Sequence, residues 1–374
     1  MTESPPNLAA LSKERSPTRS EQRHTVIKWI HDTPDEFPDG QEEERLREAQ
    51  SDELSFDTFH HLRFLDGGPR EMKTYQSEKG YPIWLQDLHS RLEDISTQTR
   101  FIPRCLGEDP EIKTHFPDVP LDKLDYLFTI TESSLRTEES GMRGVHKLIK
   151  ISDLVQGTWT MERWGASKSS WDSQVHCPML QQLDLHGESC VGCVRQQRAQ
   201  AEYLPTHNGK PIDYGHIDFA VLWSWLQDEE DRIWDLLSAP INHDVTPDLR
   251  YTYRPMVLPI ENRVQEDHPD DASVKLILWV MSQFKRFREI SGHDRCSFPT
   301  PMLQAYGAKW YLLFAVDGRP LEVFNYGLIG STSTLLEAYR LLESLRAILK
   351  WVSDTYLLKF REEILSSARR WYDT

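Results

Sequence analysis

The sequence has few cysteines and no long apolar run. Its five cysteines are an odd number in a chain of 374 residues, so they cannot all pair within the chain, and reduced thiols are expected. The first residues lack the apolar core of a secretory signal peptide, so we expect an intracellular protein, cytosolic or nuclear, that is not secreted. The longest strand-like apolar run, Trp310 to Val316, is far shorter than the roughly 20 residues that span a bilayer. No membrane partner is expected.

Positive charge is also scarce. The chain has 43 lysines and arginines against 59 aspartates and glutamates, which gives a net charge of −16. Non-specific duplex binding needs clustered cations that neutralise phosphates, so this balance disfavours nucleic acid as a partner without excluding a local basic groove. The strongest local basic patch is Lys285, Arg286 and Arg288. A small-molecule partner stays open, and the sequence does not indicate an oligomeric state.

The first part of the chain is poor in apolar residues and rich in Ser, Pro, Arg and Glu. This composition predicts a disordered acidic tail over residues 1–58. Residues 59–165 are predicted to be a helical region, because Leu85, Leu88 and Leu92 recur at helical spacing. Further helices are predicted to begin at Pro120 and to cover residues 142–155. No catalytic constellation is visible in this region.

Two short apolar runs between His216 and Arg263 predict the central strands of the fold. The first carries Asp218 near its start, and the second carries Glu261 near its end. If the strands pair antiparallel, the two acids meet at one end of the sheet. Because side chains alternate along a strand, Arg263 shares a face with Glu261. Two carboxylates and a cation in this arrangement predict a site for a metal ion and a water molecule.

Further elements are predicted around these strands. They are a helix over residues 171–185, a strand over 200–204, an amphipathic helix over 271–290, a strand from Trp310 to Val316 with a hairpin partner over 321–324, and a helix capped by Thr334. Strands that alternate with helices indicate an α/β or α+β protein.

The stretch resembles the fungal PD-(D/E)XK nuclease-like family, whose signature is an Asp followed on the next strand by Glu-x-Lys. The similar segments are Trp171–His176, Ile217–Phe219, Pro240–His243, Ile260–Arg263, Ala272 with Leu276 and Trp279, Gly307 with Trp310, Gly330–Thr332, and Trp351 with Tyr356. The resemblance covers roughly residues 100 to 370. It implies a restriction-endonuclease-like mixed central sheet flanked by helices, over residues 166–374.

The resemblance also implies a site and a chemistry. Asp218 and Glu261 would hold Mg²⁺, and Arg263 and Lys275 would complete the catalytic set for phosphodiester hydrolysis. Three departures fall on this site: Arg263 stands where the family usually has lysine, Lys275 where it usually has glutamine, and the acids that often precede Trp171 are absent. Arg263 cannot accept a proton at working pH, so it could only orient water or stabilise charge.

Other polar residues leave alternatives open. Cys190 and Cys193 form a Cys-x-x-Cys pair, but a structural zinc site needs a second ligand pair, so we predict no zinc there. His176 could reach the site, although a structural histidine is the simpler interpretation. Asn242 and His243 could line the site or brace a long loop.

Two classes of function therefore follow from the sequence. One is a metal-dependent nuclease with a degenerate site. The other is a non-nuclease protein on the same scaffold, either a binding protein or one that serves a fungal specialised-metabolite pathway.

Overall fold

The computed structural model describes residues 59–65, 67–74, 81–101, 138–184, 191–207, 210–212, 216–225, 233, 240–243, 253–264 and 269–367. The predicted tail and the predicted helix that begins at Pro120 lie outside the described residues. The domain boundaries expected after residues 58 and 165 stay predictions.

Seven strands form one mixed sheet in the order β1-β9-β8-β7-β6-β5-β2. These strands are β1 (Met72–Thr74), β2 (Val191–Arg198), β5 (His216–Trp223), β6 (Met256–Arg263), β7 (Thr300–Tyr306), β8 (Lys309–Val316) and β9 (Glu322–Ser331). A separate hairpin consists of β3 (Thr206–His207) and β4 (Lys210–Pro211). The pairs β1–β9 and β6–β7 are parallel, and the other neighbours in the large sheet are antiparallel.

Helices cover both faces of this sheet. They are α1 (Phe59–Leu62), α2 (Ile83–Thr97), α3 (Glu138–Trp164), α4 (Lys168–Trp171), α5 (Cys177–Gln181), α6 (Pro269–Ser291), α7 (Leu335–Trp351) and α8 (Leu357–Phe360). π-helical turns follow α4, α7 and α8 at Asp172–His176, Val352–Tyr356 and Arg361–Leu365, and a 3-10 turn, Gln182–Asp184, follows α5. No helix in these described segments is long and apolar enough to cross a membrane.

Helix α6 makes the crossover between the parallel strands β6 and β7. Glu261 on β6 contacts Lys275 of α6, whereas its neighbour Asn262 contacts Asp172 beside α4. Neighbouring residues of a strand point to opposite faces, so α6 and the α4 segment lie on opposite sides of the sheet. The mixed sheet with flanking helices that was expected from the sequence is confirmed.

The last long helix packs closely on the sheet. Thr334 caps α7 by accepting a hydrogen bond from the Glu337 backbone N–H at 3.2 Å, as predicted. At Gly330 on β9, an added Cβ would lie 2.8 Å from Leu341 Cβ and 2.9 Å from Leu341 Cα. Only glycine lets the strand approach α7 this closely.

Most predicted elements are present, and one is wrong. The predicted helix over 171–185 is helical from Lys168 to Asp184, the helix over 142–155 lies within α3, and the leucines expected on one face of α2 are buried. The predicted strand over 200–204 is instead a turn, in which the Tyr203 N–H bonds the Gln200 carbonyl at 3.0 Å. The edge strand precedes it as β2, and the chain turns there because Gln200 N–H bonds the His243 carbonyl rather than a sheet neighbour.

Candidate active site

The pairing of β5 with β6 places the two predicted acids side by side. Phe219 pairs with Ile260 in an antiparallel register, so Asp218 and Glu261 take the next pair of positions. The backbone N–H of Asn262 donates a 2.8 Å hydrogen bond to Asp218 Oδ2. The predicted meeting of Asp218 and Glu261 at one end of adjacent antiparallel strands is therefore present in the fold.

A lysine that the sequence interpretation did not assign to the site lies between these acids. Lys168 Nζ is 2.7 Å from Asp218 Oδ2 and 3.6 Å from Glu261 Oε1. Lys168 is the first residue of α4, whose N-cap is Ser167, and its amine lies at the paired ends of β5 and β6. The only sequence signal was its place in the segment where relatives often carry acids.

Two further cations surround the same glutamate oxygen. Lys275 Nζ of α6 lies 3.2 Å from Glu261 Oε1, and an Arg263 guanidinium nitrogen lies 3.6 Å from it. Lys275 also lies 3.4 Å from His216 Nε2 at the start of β5. The four predicted site residues thus come together, joined by Lys168 and His216.

Burial sets the protonation of this cluster. Glu261 is fully buried, and burial together with the charge of Asp218 raises its pKa to about 7, against the opposing effect of Lys275, Lys168 and Arg263. Burial alone would raise the pKa of Asp218, but Lys168 and the hydrogen bonds from Lys168, Asn262 N–H and Glu261 lower it. Neighbouring carboxylates whose pKa values diverge share one proton as a pair.

The surroundings of His216, at the edge of the cluster, favour its neutral form. Burial lowers the pKa of His216, and the nearby Lys275 charge lowers it further, while Asp218 acts in the opposite direction. A neutral imidazole can accept a hydrogen bond from Lys275. His216 therefore helps to fix the position of the Lys275 amine.

A second set of contacts on the other face braces the site. Asp172 Oδ1 accepts a 2.8 Å hydrogen bond from Asn262 Nδ2 and lies 3.1 Å from His176 Nδ1. His176 Nε2 donates to the Gly307 carbonyl at 2.9 Å, and Gly307 N–H bonds the Arg263 carbonyl at 2.8 Å. His176 is a structural histidine, since its contacts tie the α4 segment to the end of β6.

Asn242 and His243 brace the loop rather than line the site. Asn242 donates to the Arg254 carbonyl at 2.8 Å and accepts from Met256 N–H at 3.3 Å. Met256 begins β6, about 16 Å along the strand from Glu261 at the usual rise per residue. The ring of His243 packs against Trp279 in a tilted arrangement, with centroids 4.3 Å apart, and burial and Arg286 lower its pKa to about 3.

Asp218 and Glu261 are the possible metal ligands of this site. Among the described residues, no three His, Cys, Asp or Glu side chains are grouped so that they could hold a metal ion. Mg²⁺ is often held by one or two carboxylates and several waters, a requirement that Asp218 and Glu261 meet. Glu261 Oε2 is buried and has no hydrogen-bond donor among the described groups. The pair therefore fits a divalent cation, provided that Lys168 moves aside.

The predicted absence of zinc at Cys190 and Cys193 stays a prediction. Cys190 lies outside the described residues, and only the backbone of Cys193, within β2, is described.

The fold and the site together define a nuclease-type α/β protein. The cluster is built on two antiparallel strands that each supply one acid. A crossover helix and a parallel strand follow them in the chain. The sequence profile of the PD-(D/E)XK nuclease superfamily matches residues 118–357, and no curated protein sequence matches the chain. The chain belongs to the PD-(D/E)XK nuclease superfamily.

Proposed function

We propose that this chain is a divergent member of the fungal nuclease-like family that hydrolyses phosphodiesters with Mg²⁺ at a degenerate site. One observation carries the proposal: the single ammonium of Lys168 contacts both Asp218 and Glu261. Two carboxylates that one cation can touch form a cation site. In this proposal, Mg²⁺ competes with the Lys168 ammonium for the position between the two carboxylates.

The roles of the residues follow from their chemistry. Asp218 and Glu261 would hold the metal, which when bound would stabilise the negative charge that develops on the phosphate. Lys275 would take the role of the missing family lysine and orient the attacking water through its amine. Arg263 would bind a phosphate oxygen through its planar guanidinium group. Lys168, one-third exposed, would swing outward.

A second candidate has its own supporting observation. Lys168, Lys275 and Arg263 all lie within 3.6 Å of Glu261 Oε1, so the chain's own cations already occupy the surroundings of the acids. A nuclease scaffold whose acids are paired with its own cations could serve as a binding protein or in specialised metabolism on a small molecule. An intracellular setting fits either candidate, because Cys177 and Cys296 are free and buried.

The first test is calorimetric titration of the full chain with Mn²⁺ and Mg²⁺. We expect measurable binding in the wild type, at least tenfold tighter binding in Lys168→Ala, and none in Glu261→Ala, since a tethered cation competes and a lost carboxylate removes a ligand. Lys73→Ala, which breaks a strand ion pair elsewhere, is the matched control and should leave the affinity unchanged. No binding in either the wild type or Lys168→Ala would remove the metal from the proposal.

The second test is cleavage of labelled DNA and RNA under the same conditions. Arg263→Lys should keep or raise cleavage, because it restores an amine at the family position, and Glu261→Ala should abolish it. Metal binding without cleavage of either polymer would favour the second candidate. Neither binding nor cleavage in the wild type would leave only that candidate.

A further inference from the structure

A cavity of about 520 Å³ opens at the other end of α6 from the candidate active site. It lies between the chain that follows α1, the second half of α6 and the turn between β8 and β9. Lys275 and Arg288 are thirteen positions apart on α6, which is about 20 Å along a helix axis. The cavity is therefore a separate site, within the size range of small-molecule pockets.

The cavity is basic in a chain that is acidic. Five cations line it, Arg63, Arg70, Lys285, Arg288 and Arg319, against one acid, Asp317, although the whole chain carries −16. The basic patch noted in the sequence supplies two of them. Charge concentrated in a concave wall raises the local concentration of anions.

The single acid does not neutralise these cations as a group. Asp317 is buried and accepts a 2.6 Å hydrogen bond from Arg288 and a 2.9 Å hydrogen bond from Cys296 N–H. Lys285 donates to the Glu202 carbonyl, which carries no charge. Within the described part of the chain, Arg70 and Arg319 have no ion pair. Their guanidinium groups are exposed and available to a ligand.

The loops that carry these two arginines are shaped by glycine. At Gly68, an added Cβ would lie 1.9 Å from the Leu62 carbonyl oxygen, and at Gly318 it would lie 2.8 Å from the Pro320 carbonyl oxygen. No side chain fits at either position without a shift of the backbone. A 2.9 Å hydrogen bond from Leu321 N–H to the Gly67 carbonyl joins the two loops. The backbone of both loops is therefore fixed in place, and it holds the two arginines at the cavity.

The floor of the cavity is apolar. Leu65, Phe284 and Leu321 are buried there, and Met281 is half-buried. A ligand that fills the cavity therefore needs an anionic part for the arginines and an apolar body for the floor. We infer that the cavity binds a small organic polyphosphate, an anion with at least two phosphate charges on an apolar or aromatic body.

The test is calorimetric titration of the full chain with ADP and with pyrophosphate as probes. Both should bind the wild type, and ADP should bind more tightly because its base covers the apolar floor. Arg70→Ala and Arg319→Ala should each weaken binding by about tenfold to a hundredfold, as expected for a lost charge-assisted hydrogen bond. Thermal unfolding of both variants verifies that the fold is intact.

Arg91→Ala is the matched control, because Arg91 is a surface arginine of α2 that pairs with Asp87. It should bind both probes as the wild type does. Failure of ADP and pyrophosphate to bind the wild type at millimolar concentration would overturn the inference, as would undiminished binding by Arg70→Ala and Arg319→Ala together. Both titrations are made without Mg²⁺ or Mn²⁺, so the result is independent of the proposed hydrolysis.

Discussion

Among single residues, Glu261 has the most strongly perturbed environment in the candidate active site. Its carboxyl group is fully buried, and three cations lie near one of its oxygens. The pKa of about 7 nevertheless shows that burial and Asp218 outweigh those cations. A carboxylic acid with this pKa exchanges its proton in the working range of most enzymes.

The raised pKa of Glu261 predicts a specific dependence of stability on pH. Its folded pKa of about 7 lies above the ordinary value of 4.5, so between these values the folded chain holds a proton that the unfolded chain has lost. Stability from this group is present in full below pH 4.5 and is lost as the pH rises through 7. Glutamine does not titrate. Relative to Glu261→Gln, the wild type should lose about 2–3 kcal/mol of unfolding free energy between pH 5 and pH 8.

The measurement is urea unfolding of both proteins at several pH values in this range. Glu322→Gln, on an exposed strand position, controls for the loss of one charge. A difference between the wild type and Glu261→Gln that does not change with pH would mean that Glu261 ionises near its ordinary value.

The proximity of Asp218 and Glu261 could be predicted from the sequence because it depends only on how their two strands pair. The start of one antiparallel strand lies beside the end of the next whatever packs around them. Lys168 was not found in this way. Its amine reaches the acids only because tertiary packing places α4 near the paired ends of β5 and β6, and the direction of a long side chain from a short helix depends on such packing.

At the scale of elements, periodicity predicted the strands and helices that bury a continuous apolar face. The residues of α6 and β8 follow helical and strand spacing closely enough to be identified from sequence. The segment from Val191 to Leu204 was only partly predicted: no strand was expected at β2, and the strand expected over residues 200–204 is a turn. Its edge strand β2 carries Arg and Gln, and the apolar residues that resemble a strand belong to a turn. An edge strand with one neighbour needs little apolar sequence, so its pattern is weak.

The contact between β9 and α7 predicts a sharp effect at Gly330. Alanine there would place its Cβ 2.8 Å from Leu341 Cβ and 2.9 Å from Leu341 Cα, so the helix must move. We expect Gly330→Ala to lower the unfolding free energy by about 2–4 kcal/mol, as overpacking and positive φ add. Thermal or urea unfolding measures the change.

Gly327 on the same strand separates the two contributions. Its φ is also positive, at 116°, but an added Cβ meets nothing within 4 Å. Gly327→Ala should therefore cost only the backbone strain, about 1–2 kcal/mol. Equal losses at both positions would show that the close approach to Leu341 contributes nothing.

At the scale of the whole molecule, the charge balance limits how a nucleic acid could be bound. The net charge is −16, and the site cations are largely covered, with Lys275 10% and Arg263 25% exposed. The described residues of the candidate active site therefore offer contacts to one or two phosphates. The acidic composition was visible in the sequence, whereas the local basic cavity was not, because its cations come from distant segments.

This limit predicts a shallow dependence of oligonucleotide binding on salt. A plot of log affinity against log salt concentration should have a slope of about −1 to −2, since each phosphate contact contributes about −0.9. Fluorescence anisotropy of a labelled duplex, with Glu261→Gln to prevent cleavage, gives this slope. A slope of −6 or steeper would reveal an extended basic groove and contradict the prediction.

Helix α6 runs from the candidate active site to the basic cavity. Its 23 residues form one rod of about 34 Å, with Lys275 near its first end and Lys285 and Arg288 toward its last. A small rotation of α6 about its own axis would move Lys275 beside Glu261 and, at the same time, Lys285 and Arg288 in the cavity. Any ligand that shifts this rod from one end would change affinity at the other, and thermodynamic linkage makes the change equal in both directions.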